Sequence, residues 1–338
     1  MRKTIGRLFG EEIIVSNPRD IGRLHSRSKF GVRKGNSLYL NILEGVFLLD
    51  EDRIRILERG DREIAFKELF QIASDKVENF EDLYRVYQDL RHRGYHPIIE
   101  DSSLTLHRGE GRENPLIVFN EGENIKVSSL KKLCVDRETI LALVDEEGDL
   151  TYYELQIIKP VGEIGKENLP ETNGFLLSNK VFIFDVNAAR ILHAREFYGS
   201  LRRNYLHLSL LEALYLMEKK KLSILDGDRL LDESDFLEYI KKRYPSSLQR
   251  YEVFKDLKNR GLIVKTGFKF GVHFRVYTNL PEFTHSEYLI HVINPSMKET
   301  WSEISRGVRL AHAVNKTFLF AFPEEEDIIY LKLKRIRP

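Results

Sequence analysis

The chain contains its own sequence twice. The segment YRVYQDLRHRGY at 84–95 aligns with YEVFKDLKNRGL at 251–262, with six identical positions at an offset of 167. The matching blocks, in order along the chain, are 40–49 with 208–217, 84–95 with 251–262, and 141–160 with 319–338. Blocks that recur in the same order at nearly constant offset indicate a tandem duplication. Both copies must therefore adopt the same scaffold.

Each copy changes its hydrophobic periodicity in the same order, from helical spacing to short strand-like runs. In the second copy a helix is predicted around 251–260 and ends at Gly261, and another is predicted over 300–315. The runs GLIVK, HFRVY, EYLIHVI, FLFAF and DIIYLKL are typical of strands. We predict an α/β (α+β) fold, in which each copy is a small helix-rich α+β subdomain followed by a mixed-sheet α/β subdomain.

The repeat and a Pro/Gly-containing stretch at 159–170 set the expected domain boundaries. The predicted parts are 1–74 (N-terminal subdomain of copy 1), 75–160 (second subdomain of copy 1), 161–170 (linker), 171–245 (N-terminal subdomain of copy 2) and 246–338 (second subdomain of copy 2).

Composition favours a protein of a reducing compartment, which we expect to be the cytoplasm. No stretch approaches the roughly 18 uncharged residues of a membrane span, and the acidic pair Glu11 and Glu12 interrupts any secretory apolar segment. The single cysteine, Cys134, excludes an intramolecular disulfide and a cysteine-based zinc cage. We expect its side chain to be buried and inert.

Charge divides unevenly between the copies, with a net of −4 over 1–160 and +5 over 161–338. The segment 251–275 carries six basic residues, and aromatic residues are interleaved from Phe268 to Tyr277. Basic groups hold phosphates and flat rings stack on bases, so the pattern suits RNA recognition. An amphipathic hairpin with a solvated charged face gives the same pattern, and composition alone favours that reading.

Three stretches of the second copy closely resemble the catalytic domain of the archaeal tRNA-splicing endonucleases (tRNA-intron lyases). They are GFKFGVHFRVY at 267–277, THSEYLIHV at 284–292 and RGVRLAHAVNK at 306–316. The duplicated organisation is similar to that of the two-repeat, homodimeric members. The resemblance implies a catalytic triad of Tyr277, His285 and Lys316, although the seven residues between Tyr277 and His285 are few for this family.

The chemistry implied by the resemblance requires these residue types. A base must accept the 2′-hydroxyl proton, an acid must protonate the departing 5′-oxygen, and a cation must stabilise the charge that develops on the phosphate. The resemblance assigns these roles to Tyr277, His285 and Lys316 in that order. Lys316 would have a second effect, because a cation near the phenol favours its deprotonated form.

Aligning the copies gives a test that is independent of the family. The alignment pairs His107 with Tyr277, Arg112 with His285 and, by extending the offset of 178, Glu138 with Lys316. All three positions differ, which fits an active second copy beside a non-catalytic first copy.

Further residues are implied by the resemblance to contact RNA or the second protomer. Arg309 and, more weakly, Arg335 would grip a bulged base by cation–π stacking, against the alternative of surface charge or phosphate contact. The acidic turn of copy 1 would dock on copy 2 of the partner protomer. Its four carboxylates are Asp145, Glu146, Glu147 and Asp149.

Taken together, these features predict an enzyme, a metal-independent tRNA-intron lyase. It would cut precursor tRNA at bulge–helix–bulge junctions as a homodimer, leaving 2′,3′-cyclic phosphate and 5′-hydroxyl ends. No metal, nucleotide or redox cofactor is implied, and no membrane partner. Two alternatives remain open at this point: a non-catalytic RNA-binding subunit of such an enzyme, and a metal-dependent nuclease using Glu282 and Glu287.

Overall fold

A computed structural model describes residues 3–58, 60–100, 103–108, 112–123, 127–134, 137–165, 168–293, 301–324 and 327–338. The chain divides into two units. Unit 1 comprises Met1–Glu123, Asp136–Glu154 and Ile336–Pro338, and unit 2 comprises Asn124–Val135 and Leu155–Arg335. Each unit has its own hydrophobic core.

The chain contains both strands and helices. In chain order they are β1 (Thr4–Phe9), β2 (Glu12–Val15), α1 (Pro18–Ile21), β3 (Val32–Lys34), β4 (Ser37–Asn41), α2 (Ile42–Asp50), β5 (Ile54–Leu57), α3 (Phe66–Lys76), α4 (Phe80–His92), β6 (Ile98–Glu100), β7 (Ser103–Arg108), β8 (Arg112–Asn120), α5 (Val127–Leu130), β9 (Thr139–Val144), β10 (Leu150–Ile158), β11 (Thr172–Leu177), β12 (Lys180–Ile183), α6 (Val186–Glu196), β13 (Ser200–Leu201), β14 (Leu206–Leu208), α7 (Leu210–Glu218), β15 (Leu222–Asp226), β16 (Arg229–Leu231), α8 (Glu233–Arg243), α9 (Ser247–Asn259), β17 (Ile263–Thr266), β18 (Phe274–Tyr277), β19 (Tyr288–Val292), α10 (Trp301–Ala313), β20 (Thr317–Pro323) and β21 (Ile328–Ile336).

The first part of each unit is a mixed sheet covered by helices. The strand order is β3-β4-β2-β1-β5 in unit 1 and β13-β14-β12-β11-β15-β16 in unit 2. In both sheets the first strand pairs in parallel with the strand that follows a central helix: β1 with β5, which follows α2, and β11 with β15, which follows α7. That helix starts with a capping box in each copy, Asn41 with Glu44 for α2 and Ser209 with Glu212 for α7.

The second part of each unit is also a mixed sheet, with the order β6-β7-β8-β9-β10 in unit 1 and β17-β18-β19-β20-β21 in unit 2. One internal pair is parallel in each, β8 with β9 and β19 with β20. A parallel pair requires a crossover connection, and α10 provides it in unit 2. The strand-like runs and the helix predicted for the second copy are confirmed, while residue 300, the predicted first residue of that helix, lies outside the described residues.

A side-chain network is repeated in both units. The Tyr152 hydroxyl donates to Asp89 at 2.7 Å, and the Tyr330 hydroxyl donates to Asp256 at 2.7 Å. In each unit the same carboxylate also accepts from an arginine one turn further along the helix. Burial, together with the carboxylate partner, raises the pKa of both phenols. Equivalent polar networks against equivalent helices confirm the duplication.

The two copies differ by one residue in their last hairpin. In unit 1 the Asp145 amide donates to the Asp149 carbonyl, and Gly148 has a φ of +79° inside that turn. In unit 2 the Glu324 amide donates to the Asp327 carbonyl, so the turn is one residue shorter. Gly148 is thus an inserted residue of the type found in G1 bulges. Equivalent residues of the two copies are therefore 178 positions apart after the turn and 179 positions apart before it. An alignment that keeps the offset of 178 without a gap is wrong for the residues that precede the turn.

The segment predicted as a linker packs closely against the second copy. The Glu163 amide donates to the Thr278 carbonyl at 2.7 Å. A Cβ on Gly162 would lie 2.1 Å from the carbonyl oxygen of Gly261, so the two backbones approach as only glycine allows. Residues 161–164 are therefore part of the structure that surrounds the end of β18.

Two expectations from composition concern burial. Cys134 is 3% exposed, so the prediction that it is buried is confirmed. Burial raises the pKa of its thiol to about 11, which disfavours the reactive thiolate. In the part of the chain that the structure describes, every helix is too short or too polar to cross a bilayer.

Candidate active site

Strand β18 presents two polar side chains on the face opposite the core. Phe274 and Val276 belong to the core of unit 2, so Arg275 and Tyr277 alternate onto the other face. Tyr277 ends the strand and is 9% exposed. The Arg275 guanidinium lies 5.9 Å from the centroid of the Tyr277 ring.

His285 lies in the connection between β18 and β19, and its side chain is exposed. The strand ladder resumes immediately after it, where the Glu287 amide donates to the Val276 carbonyl at 2.9 Å. Register therefore places Glu287 beside Tyr277, with His285 two residues further out. The seven residues between Tyr277 and His285 form a short loop. It is closed by a turn in which the Thr284 amide donates to the Leu280 carbonyl at 3.2 Å.

Lys316 lies between the end of α10 and the start of β20. Asn315, with a φ of +53°, turns the chain out of the helix, and the Lys316 amide donates back to the Ala311 carbonyl at 2.9 Å. The Nζ of Lys316 donates to the carbonyl oxygen of Ser286 at 2.8 Å. Burial, and secondarily the nearby Arg275 cation, lowers the pKa of the Lys316 ammonium.

Topology brings the three predicted catalytic residues to one edge of the sheet. Strand β18 is antiparallel to β19, and β19 is parallel to β20, so the end of β18 and the starts of β19 and β20 lie at the same edge. Tyr277, His285 and Lys316 are the residues at those three points. A phenol, an imidazole and an ammonium group at one edge can supply a base, an acid and an electrostatic stabiliser.

Arg275 is a candidate site residue that sequence reasoning passed over. The sequence pattern includes Arg275 only as one of six basic residues in 251–275. Alternation along HFRVY nevertheless places Arg275 on the same face of the strand as Tyr277. Its Nε is buried and has no hydrogen-bond partner among the described residues. The period-two pattern was the signal that could have identified it.

The two arginines proposed for RNA contact are both exposed. Arg309 lies on α10, seven residues before Lys316. Arg335 lies near the end of β21, and extending the pairing of Phe318 with Leu333 by two residues places it opposite Lys316. The pairing of β20 with β21 thus places Arg335 next to the end of the sheet that carries Tyr277, His285 and Lys316. The sequence alone supported Arg335 less strongly than Arg309.

Two aromatic side chains of the second copy are highly exposed. Phe268 is 85% exposed and Phe283, in the loop between Tyr277 and His285, is 73% exposed. Phe274 and Tyr277, which the sequence pattern also included, are buried. Two of the four aromatic residues in the interleaved pattern are therefore buried, and Phe283 is an exposed ring outside that pattern.

The acidic turn of copy 1 lies in unit 1 between β9 and β10. The Asp145 carboxylate accepts from the amides of Glu147 and Asp149 at 3.0 and 2.8 Å, so it stabilises the turn itself. Glu146, Glu147 and Asp149 are exposed. These three carboxylates are the ones available to a partner.

The structure corrects one pairing between the copies. Strand register and the core faces of β7 and β18 place His107 where Tyr277 stands in copy 2, as the sequence alignment does. Because of the inserted Gly148, the residue equivalent to Lys316 is Arg137 and not Glu138. Copy 1 therefore keeps a cation at this position. The side chain of Arg112, aligned with His285, lies outside the described residues.

Two histidines near the site have structural contacts. The rings of His273 and His291 lie 4.5 Å apart, and His273 Nδ1 accepts from the Val292 amide at 2.9 Å. Burial, followed by His291 and Arg250, lowers the pKa of His273 to about 3. His273 is thus neutral at physiological pH. Among the described residues, no three His, Cys, Asp or Glu side chains are grouped as metal ligands.

Comparison with known proteins matches both parts of the fold. The model of the tRNA intron endonuclease catalytic C-terminal domain matches residues 247–330. The model of the N-terminal domain of the same endonuclease matches twice, at 4–70 and 172–237. The chain belongs to the tRNA intron endonuclease family.

Similar full-length proteins of this family occur in archaea. The chain is 34% identical to a tRNA-splicing endonuclease of Methanosarcina acetivorans, with 96% of this chain and 97% of that protein covered. It is 31% identical to that of Haloferax volcanii, with 98% and 99% covered. The one from Methanothermobacter thermautotrophicus is 42% identical, but 98% of it aligns with only 49% of this chain. A relative that corresponds to half of the chain agrees with the duplication.

Proposed function

We propose that the protein is a metal-independent endoribonuclease that removes introns from precursor tRNA at bulge–helix–bulge junctions. The observation that carries the proposal is the meeting of Tyr277, His285 and Lys316 at one sheet edge, with Lys316 Nζ 2.8 Å from the carbonyl of the residue after His285. Membership of the tRNA intron endonuclease family supports the substrate.

The reaction balances without a further reactant. The 2′-oxygen at the cut site forms a bond to its own phosphorus, and the bond from phosphorus to the 5′-oxygen breaks. Tyr277, as phenolate, accepts the 2′-hydroxyl proton, and His285, as imidazolium, gives a proton to the 5′-oxygen. The products carry a 2′,3′-cyclic phosphate and a 5′-hydroxyl.

Lys316 stabilises the negative charge that accumulates on the phosphate oxygens. An ammonium has three N–H donors, and among the described residues the Ser286 carbonyl uses one of them, so two are available for substrate oxygens. The same hydrogen bond holds the Lys316 side chain over the catalytic edge before substrate binds. Preorganised donors of this kind need no reorganisation during the reaction.

Arg275 assists as a positioning residue next to Tyr277. Its guanidinium lies 5.9 Å from the centroid of the phenol ring and has no carboxylate partner among the described residues. A cation held there favours the phenolate over the neutral phenol.

RNA would be held by groups that surround the catalytic edge. Arg309 and Arg335 are exposed cations, and Phe283 is an exposed ring within the loop that carries His285. Cations and flat rings of this kind grip splayed, unpaired bases. Bulged nucleotides suit such a site because they reach the in-line geometry that cyclisation needs.

A homodimer with four repeat units and two active sites would address the two bulges of one substrate. The exposed carboxylates Glu146, Glu147 and Asp149 would contact copy 2 of the partner protomer. In this arrangement 75–160 is a non-catalytic subdomain and 246–338 is the catalytic one, each preceded by its N-terminal subdomain at 1–74 and 171–245. The cytoplasm, where precursor tRNA is processed in archaea, is the expected location.

Cleavage of a bulge–helix–bulge RNA in EDTA tests the proposal against its alternatives. We expect cleavage at both bulges, with product ends that are a cyclic phosphate and a 5′-hydroxyl. His285→Ala should be inactive, and Lys241→Ala, on α8, should cut at the wild-type rate. A requirement for added Mg²⁺ would overturn metal independence, and binding without cleavage would support the alternative of a structural subunit.

A further inference from the structure

Unit 2 contains a cavity of about 730 Å³ whose lining residues, apart from Arg275, have no part in the proposed reaction. It lies between the start of α9, the strands β17 and β18, and the N-terminal subdomain of copy 2 around β13, α7 and α8. Its volume is in the range of pockets that bind small organic ligands.

The cavity wall carries more positive than negative charge. Lys180, Arg250 and Arg275 line it, and no carboxylate among the described residues pairs with any of them. A fourth cation, Lys265, pairs with Glu212 at 2.7 Å. Burial acts to raise the pKa of Glu212, but Lys265 and the backbone amides of Ser209 and Gly199 together outweigh it and the pKa is lowered, so the Glu212 carboxylate offsets the charge of Lys265. The remaining cations give the cavity an affinity for anions.

The N-terminus of α9 forms part of the same wall, and there the Ser247 amide donates to the Tyr244 carbonyl at 2.9 Å. The preceding residue, Ser246, makes no side-chain capping bond, and the first turn of this 13-residue helix contains no acidic residue. Ser247 is 5% exposed, lines the cavity, and its hydroxyl has no hydrogen-bond partner among the described residues. A helix N-terminus, an unpartnered hydroxyl and nearby guanidinium groups are the components of a phosphate site.

The rest of the wall is largely apolar and aromatic. Phe197, Tyr244 and Phe254 contribute rings to it. His207 contributes a fourth ring to the wall. Burial, followed by the nearby cations Lys180 and Arg202, lowers the pKa of His207, so its imidazole is neutral at physiological pH. Ring faces of this kind suit a flat apolar group attached to the phosphate.

Copy 1 shows what the same scaffold does without such a site. At the positions of Ser247 and Arg250, offset by 167, it has Phe80 and Leu83. Both are buried in the core of unit 1, and the Phe80 ring packs edge-on against Phe70 at 5.2 Å. Lys180 corresponds to Glu12. A duplicated fold that is stable with Phe80, Leu83 and Glu12 at these positions has no structural need for a buried hydroxyl and cations there.

We propose that this cavity binds a phosphate ester that carries a planar apolar group, of the size of a nucleoside monophosphate. The phosphate lies at the start of α9 with Ser247 and Arg250, and the planar group lies against the aromatic wall. The phosphate belongs either to a free nucleotide or to the backbone of bound RNA.

Calorimetric titration of the full chain with AMP, inorganic phosphate and adenosine tests the chemistry. We expect AMP to bind more tightly than phosphate, and adenosine to bind at least tenfold more weakly than AMP. Arg250→Leu, which installs the residue that copy 1 carries, should weaken AMP binding about tenfold or more. Ser247→Ala should weaken it several-fold, and Lys242→Ala, an exposed cation outside the cavity, should not change it.

These measurements also show whether the proposal fails and, if it holds, which molecule supplies the phosphate. Absence of AMP binding, equal binding of adenosine and AMP, or unchanged binding in both cavity variants would overturn the proposal. If AMP inhibits RNA cleavage competitively and Arg250→Leu raises KM, the phosphate is that of the RNA backbone. If KM is unchanged and AMP does not compete, it is that of a free nucleotide. The titration needs no cleavage, so its outcome is independent of the proposed endonuclease activity.

Discussion

The Nζ of Lys316 donates a hydrogen bond to the carbonyl oxygen of Ser286 at 2.8 Å. This contact joins the residue that precedes β20 to the residue that follows His285, across 30 positions of the chain. It holds the cation at the catalytic edge and, within the described part of the chain, takes up one of its three donors.

Replacement of Lys316 by alanine should lower kcat by about 10² to 10³, the usual cost of removing one group that stabilises a transition state. Lys316→Arg keeps the charge, so it should retain part of the activity. Because the pKa of Lys316 lies below its ordinary value, activity should begin to fall in alkaline solution below the pH at which free lysine titrates. The arginine variant should lose this alkaline limb. Single-turnover cleavage across a pH series measures both effects, with Lys334→Ala as the exposed control.

Arg309→Ala and Arg335→Ala should each raise KM for bulged RNA by about 3- to 10-fold, since a cation–π contact contributes roughly 0.5–1 kcal/mol or more. Their kcat values should change little, because neither residue is assigned a proton or a charge of the reaction. The matched control is Arg243→Ala, which removes an arginine that stacks on Tyr239 in α8. A fall in kcat with unchanged KM would contradict a gripping role.

The triple variant Glu146→Gln, Glu147→Gln, Asp149→Asn should weaken dimerisation about tenfold or more and lower cleavage at low protein concentration. Asp145 is left in place because its carboxylate accepts hydrogen bonds within the turn. The matched control neutralises Asp226 and Asp228, in the exposed hairpin between β15 and β16. Sedimentation analysis would reject the docking hypothesis if the triple variant dimerises like the control.

His273 should make unit 2 less stable in acid. Its pKa is lowered to about 3 in the folded protein, so below about pH 6.5 the unfolded chain takes up a proton that the folded chain does not. Stability is therefore lost as the pH falls from about 6.5 towards 3. The loss is at most about 2 kcal/mol between pH 7 and pH 5, and less because the ring is partly solvated. His273→Gln should flatten the dependence of the urea midpoint on pH, whereas His312→Gln, at an exposed position, should leave it unchanged.

Asp256→Ala should lower the free energy of unfolding by about 2–3 kcal/mol, because it leaves the buried Tyr330 hydroxyl without its acceptor. Asp89→Ala in unit 1 should have a similar effect through Tyr152. Denaturant titration measures both. A loss no larger than that caused by Asp226→Ala, an exposed carboxylate, would show that the repeated network contributes little stability.

Much of the fold could be predicted from pattern alone. Helix α9 and strands β17 to β21 follow from apolar periodicity, and the recurrence of the same pattern 167 to 178 residues earlier implied that both copies share it. These are local properties, because the spacing of apolar side chains decides which face of an element can be buried. The three proposed catalytic residues were likewise visible as residue types at family positions.

Other features depend on contacts between residues far apart in sequence. Alternation along one strand could have indicated Arg275, but its distance from the Tyr277 ring requires the folded site. The position of Arg335 opposite Lys316 comes from the register of β20 and β21. The inserted Gly148 shifts the alignment of the copies by one residue, and only hydrogen bonds across the turn reveal it.

The amino-acid sequence by itself determined the duplication, the order of the elements and the chemical groups available to the second copy. The tertiary structure decided which of those groups meet. Strand pairing places the end of β18 and the starts of β19 and β20 at one edge. Packing of α9 against the N-terminal subdomain leaves a charged cavity where copy 1 buries Phe80 and Leu83. Both outcomes arise from long-range packing, whose energy is shared among residues that are not neighbours in the chain.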